Sequence, residues 1–298
     1  MIRFRRDMPL KILIVPILLL CLLPLALAAQ ESWEPEDYLR LYLKVRTDLS
    51  GGESVYHYIG KIYSFIPGEK RMELFDYEGY SIARMEEQAD SIRILSKEVG
   101  FFKDHRTGEI LNEWRNPLTG EVLPVMHIFN DPVNQDLSFS PDLLPYIRQM
   151  LPSTDLGETL IFHNEIFPFH PSPLSRRDHG EYTQSDTFQA AELTEYLVNK
   201  NELLLSSSGS VPAILTFTRI TPWLPFMKMG DRPGNLIFVC RGKKLAGGFD
   251  ELPGQIKDYV LAQHPDYTRA PERWSEPNET AWTAFKKSIN EVKDNNEE

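Results

Sequence analysis

The stretch that decides the fold reads Val55-Tyr56-His57-Tyr58-Ile59-Gly60-Lys61-Ile62-Tyr63-Ser64-Phe65-Ile66 and stops at Pro67-Gly68. It is rich in aromatic and β-branched residues and closes on a turn pair, as a strand does. Working outward, the pattern repeats. Residues 72–85 form a second run, broken near Ala89-Asp90. Residues 92–102 form a third, broken at Asp104-His105-Arg106-Thr107-Gly108. Residues 110–114 form a fourth, broken by Asn116-Pro117-Leu118-Thr119-Gly120, and residues 122–129 a fifth. The breaks are short and carry Gly, Pro, Asn or Asp, as hairpins require. A parallel crossover needs a dozen or more residues, so the order is an antiparallel meander and a doubly wound fold is excluded.

In the first run Val55, His57, Ile59, Lys61, Tyr63 and Phe65 share one side, while Tyr56, Tyr58, Gly60, Ile62 and Ser64 share the other. Both sides mix polar and apolar groups, unlike a flat sheet with one wet face. A barrel or strongly curved sheet tolerates this mixing, because its interior holds polar groups or a ligand. Further strands are read at 158–169, 211–220 and 235–245. Residues 188–198 fit neither periodicity well and are read as strand. The expected fold is mainly β, with α+β character at the margins. It is an antiparallel barrel or curved sheet of eight to ten strands, lipocalin-like in size. About four peripheral helices are expected. One starts at Pro35 and runs to 45, one covers 141–150 and one 254–263. The last follows Asn278, a good N-cap, with Trp282, Phe285 and Ile289 on one face.

The chain has 298 residues, 32 bases and 43 acids. Arg3, Arg5, Arg6 and Lys11 precede an uncharged run from 12 to 29 that closes with Ala26-Leu27-Ala28. This is the layout of a secretory signal, with cleavage expected after Ala28. Pro16 and Pro24 interrupt the run and argue against a retained membrane anchor. Residues 29–298 then form one domain of net charge −14, in the periplasm or outside the cell. That charge argues against nucleic acid, which needs a basic patch. One cysteine remains, Cys240, so no internal disulfide forms. Its run Leu236-Ile237-Phe238-Val239-Cys240 reads as buried strand.

The sequence carries no GxSxG, HExxH, CxxC or P-loop spacing, and no cofactor motif. The densest polar cluster is His127-Ile128-Phe129-Asn130-Asp131-Pro132. His127 with Asp131 is a minimal general-base pair, and Asn130 a candidate stabiliser of developing charge. The alternative is a strand end closed by an Asx turn, with His127 as a core residue. His163 and Glu165 share a strand face, but His170 lies too far along for a metal set. Trp223-Leu224-Pro225-Phe226-Met227-Lys228-Met229-Gly230-Asp231-Arg232-Pro233-Gly234 is apolar for a loop. Such bulk covers a barrel mouth, a ligand or a partner, or plugs the core. Arg219 and Arg232 flank it and suit an anionic group.

Three stretches together resemble one family. They are Trp114-Arg115-Asn116-Pro117-Leu118-Thr119-Gly120-Glu121 with His127 and Asn130-Asp131-Pro132-Val133; the residues from Arg219 to Gly234; and Pro277-Asn278-Glu279-Thr280-Ala281-Trp282-Thr283-Ala284-Phe285-Lys286-Lys287. The family is catalogued as domain of unknown function 1838, found in bacteria and fungi. The resemblance covers about residues 35–288 and implies one domain. Phe226 and Ala284 depart from its pattern, where a tryptophan and a tyrosine are expected. It supplies no reaction and no catalytic residue.

Three function classes follow. The leading expectation is a barrel that binds a small, largely apolar molecule, lined by His57, His127, Asn130, Arg219, Trp223 and Met227, with Arg232 as a further ligand contact. The second is a cofactor-independent isomerase, dehydratase or hydrolase that uses His127, Asp131 and Asn130. The third is an envelope scaffold with a filled interior and an exposed apolar patch.

Overall fold

β1 (Glu53–Phe65) pairs along its whole length with β2 (Glu73–Glu87) on one side, and on the other with β14 (Asn235–Leu245). The computed structural model describes residues 33–88, 91–137 and 142–297, without the side chains of 293–297. The leader expected at 1–28 lies outside the described residues. Residues 34–298 form one compact unit. Among the described residues no helix is long and apolar enough to cross a membrane.

From β1 the sheet grows both ways. Beyond β2 lies β3 (Ile92–Lys103), which carries both β6 (Ile128–Asn130) and β7 (Gln135–Leu137). Beyond β14 follow β13 (Ile214–Thr221), β12 (Ala191–Asn199), β9 (Thr159–Ile166) and β8 (Ser153–Asp155). All ten strands are antiparallel to their neighbours. Residues 188–198 divide between β11 (Thr187–Gln189) and β12, so strand is the correct reading.

A closed barrel is the part of the expectation that needs correcting. β6 and β7 stand at one edge and β8 at the other, and no ladder joins them among the described residues. Each is three residues long. Pro132 follows β6 and Pro152 precedes β8, and a proline has no N–H to extend a ladder. The meander also stops earlier than its pattern suggests. β4 (Glu113–Arg115) and β5 (Val122–Pro124) form a separate hairpin, and β10 (Phe169–Pro171) with β11 another.

The curvature has a cause in the inner-face residues. Ile128, Gly100, Gly79, Tyr58, Gly242, Leu215 and Tyr196 are successive partners across one row. The next row runs Phe102, Tyr77, Gly60, Cys240, Phe217, Thr194 and Asn164. Tyr58 lies over Gly79, where an added Cβ would meet its ring at 2.8 Å. The Tyr77 hydroxyl fills the space a Gly100 side chain would need. The two rings stack with centroids 6.0 Å apart. Cys240 is a free, buried thiol, pushed up to about 12 by burial.

Helices cover what the strands leave open. α1 (Pro35–Arg46) starts on a proline, where no N–H is needed, and carries Glu36 and Asp37 in its first turn. It buries Tyr38, Leu39, Tyr42, Leu43 and Val45. Its rings meet Phe162 of β9 and Tyr196 of β12. Residues 141–150 become a 3-10 turn (Leu144–Tyr146) and a short α2 (Ile147–Met150), because Pro145 breaks the pattern. Two short helices had no clear signal: α3 (Arg176–His179) and α4 (Lys200–Leu205). α5 (Gly254–Gln263) packs Ile256 and Val260 on the outer face against Val55, Tyr80, Ile82 and Phe101. α6 (Ala281–Glu297) packs Trp282 and Phe285 into the other core, under the Trp223–Met229 segment.

Gly100→Ala should lower stability by about 1–3 kcal/mol, the usual cost of forcing a group into a packed site. Urea unfolding measures it. Adding Tyr77→Phe to that variant removes the colliding hydroxyl and should recover part of the loss.

Candidate functional site

The inner face encloses a cavity of about 140 Å3. Ile128 and Gln135 reach it from one edge of the sheet, Asn164 and Ile166 from the other. The two edges therefore face each other across the cavity without pairing. Tyr58, Tyr77, Leu215, Phe217 and Phe238 give the wall its apolar part, and Arg46, Glu98, Glu192 and Arg219 its charged part. Two other grooves lie on the outside. One is open around Ile59, Lys61 and Lys103, the other around Phe167, Phe169 and Ile220. The inner cavity is more closed than either groove and is the better candidate, since a ligand there leaves water on more of its surface.

Each charged group is held by a different element. Arg219, on β13, lies beside Glu192 of β12, with Nε and Oε1 3.1 Å apart. Its guanidinium carbon sits 5.9 Å from the Trp282 ring centroid. Glu98, on β3, is the register partner of Asn130 and accepts a hydrogen bond from its side chain. Burial raises the Glu98 carboxyl above the usual range, and the nearby Glu192 adds to this; Arg219, Arg46 and Asn130 offset it in part. Arg46 is the last residue of α1 and is 7% exposed. Its Nε and Nη1 are buried with no hydrogen-bond partner. Gln135 Oε1 is also buried and unpartnered.

The end of α1 is fixed by three contacts. Lys244 Nζ donates to the carbonyls of Lys44, Val45 and Thr47 at 3.0, 3.0 and 2.6 Å. The Thr47 hydroxyl donates to Leu43 O at 2.8 Å, and the Tyr56 hydroxyl to Val45 O at 2.7 Å. These satisfy carbonyls that a helix end leaves open. They also fix the direction in which Arg46 leaves the helix.

Of the residues singled out from sequence, Arg219 lines this cavity and Asn130 supports it through Glu98. The others lie elsewhere. His57 is on the outer face, 2.9 Å from Glu78, which also pairs with Lys103 at 2.7 Å. Asp131 pairs with Lys97 at 2.9 Å, not with His127. His127 Nδ1 accepts from the Phe102 amide at 3.2 Å, and its ring stacks on Phe102. The proposed dyad is therefore not assembled: the strand ends at Asn130, so spacing of four does not put the two side chains together. Trp223 and Met227 are buried in the core, where the Trp223 indole donates to Arg232 O at 3.0 Å. Their loop is a plug rather than a lid. Arg232 pairs with Glu69 at the surface, 3.1 Å away. His163 faces Thr154 at 2.9 Å and Glu195 at 3.6 Å.

The sequence motifs are rivets between segments. Asn116 is fully buried; its amide nitrogen donates to Met227 O at 2.9 Å and its oxygen accepts from Leu118 N at 2.9 Å. Asn134 and Asn278 exchange backbone and side-chain bonds at 2.8 Å each. Arg46, Glu98 and Glu192 were missed. Their signal was a charge at a buried position: Glu98 shares the parity of Gly100 and Phe102, and Arg46 follows the buried Val45.

Fold and site define an open, strongly curved antiparallel sheet around a cavity with a charged end. The chain belongs to the family described as protein of unknown function (DUF1838), whose model matches residues 51–289. Comparison with curated proteins gives no match. α1, and with it Arg46, precedes the matched residues.

His127 yields a pH prediction. Burial pushes it down to about 4. The unfolded chain binds the proton near pH 6.5 and the folded one does not. This contribution to stability is present above about pH 6.5 and is lost as pH falls through 4. Unfolding curves from pH 7 to 4 should lose up to about 3 kcal/mol from this group. His127→Leu should flatten that part of the profile.

Proposed function

We propose that the chain is an exported protein that binds a small molecule in the inner cavity. The observation that carries this reading is the cavity itself: about 140 Å3 of space between two unpaired sheet edges, with apolar rings on one part of its wall and charged groups on another. Cores are otherwise close-packed, with few voids larger than a water. A cavity of roughly this volume has room for a benzene-sized molecule. Tyr58, Phe217 and Phe238 suit a largely apolar body, and the charged wall suits one polar group. Export rests on the basic, apolar and small-residue order of the first 28 residues.

Native mass spectrometry of protein purified from its own host tests the binding. The expected result is a mass above the apo chain. Ser81 lines the cavity, so Ser81→Leu should fill it and abolish the added mass while the fold persists. A clean apo mass for the wild type would count against the reading. N-terminal sequencing of the same sample tests export, with Ala29 expected as the first residue; an intact Met1 in a cytoplasmic fraction would overturn it.

A further inference from the structure

We propose that Arg46 anchors a ligand carboxylate, so that the cavity takes a small carboxylic acid with a benzene-sized body. This rests on the cavity being a ligand site. Arg46 is a buried cation that the field of Glu98 reaches but that no carboxylate among the described residues pairs. Arg219 forms an ion pair with Glu192 and lies near Trp282, although its Nε makes no aligned hydrogen bond. Glu98 lies in the fields of Arg219 and Arg46 and takes a side-chain bond from Asn130. No carboxylate stands within ion-pair distance of Arg46 among the described residues. The Tyr196 hydroxyl takes one hydrogen bond from its guanidinium, and the Tyr56 hydroxyl is spent on Val45 O. That leaves Nε and Nη1 as sealed, unpaired donors on a group that always carries its charge.

Burying such a group unpaired is costly, and folded proteins pair it in nearly every case. Arg46 also lines the cavity, and a small rotation of its guanidinium would turn these sealed donors toward it. A carboxylate supplies the charge and accepts charge-assisted hydrogen bonds from guanidinium N–H groups. Arg219 pairs with Glu192, whereas Arg46 makes no ion pair among the described residues. The body of the ligand would lie against Tyr58, Leu215 and Phe217.

The test uses two matched pairs on the full protein at neutral pH: benzoate against benzamide, and hexanoate against hexanamide. Each pair keeps the shape and removes the charge. Thermal shift and calorimetry read the binding. At least one acid should bind ten times or more tighter than its amide. Arg46→Gln should lose tenfold or more for that acid and change the amide much less. The proposal is overturned if the amides match the acids, if Arg46→Gln binds the acid as the wild type does, or if no acid binds. If Arg46→Gln fails to fold, the wild-type comparison still decides. A neutral compound found in the native mass, with no acid binding, would overturn the carboxylate and leave the cavity reading standing.

Discussion

The structure depends on two tyrosines lying flat on the backbone of neighbouring strands. Tyr58 and Tyr77 do so only because Gly79 and Gly100 offer no side chain in the way. A ring packed on bare backbone brings the inner surfaces of β1, β2 and β3 closer than paired side chains would. The sheet bends there, where side-chain bulk is missing from one face. With that bend, strands seven places apart in the order bring their edges to the same cavity. Without it, Gln135 and Asn164 would line nothing in common.

The second dependence is on polar side chains that hold loops rather than ligands. Asn116, Asn134 and Asn278 fix the plug and the start of α6 through hydrogen bonds to backbone. Each is a donor or acceptor in a place where an unmet backbone group would be expensive. This accounts for the density of asparagine and proline in the sequence motifs without any chemistry. Arg219 belongs to both worlds. It begins the second motif, lies near Trp282 of the third and still reaches the cavity wall.

Much of the fold was legible in sequence because strand alternation and turn residues are local signals. The short loops of residues 55–103 dictated antiparallel neighbours. Closure was not legible, since it depends on whether three-residue edge strands meet, and no local pattern encodes that. The site was legible only in part. His127 and Asp131 looked like a pair because spacing was counted along a strand that ends at Asn130. The apolar loop was correctly seen to cover something, and that something is the core. Arg46 was passed over because a lysine or arginine near a helix C-terminus has an ordinary reading, favourable interaction with the helix dipole. Only the packing reveals that this one turns inward.

The inward turn is itself a structural choice that the fold supports at some cost. Lys244 caps α1 from the neighbouring sheet with all three of its donors. Burial, with Arg46 as the next cause, pushes its ammonium down to about 7, and Asp48 offsets this in part. Two cations near one helix end repel, and burial makes the repulsion stronger. A sequence selected for stability alone would put a glycine cap there and send the arginine to water. This chain keeps both groups, one closing the helix and one lining the cavity. The strain makes sense if negative charge arrives from outside the chain, because an anion on Arg46 relieves both the unpaired guanidinium and the pressure on Lys244.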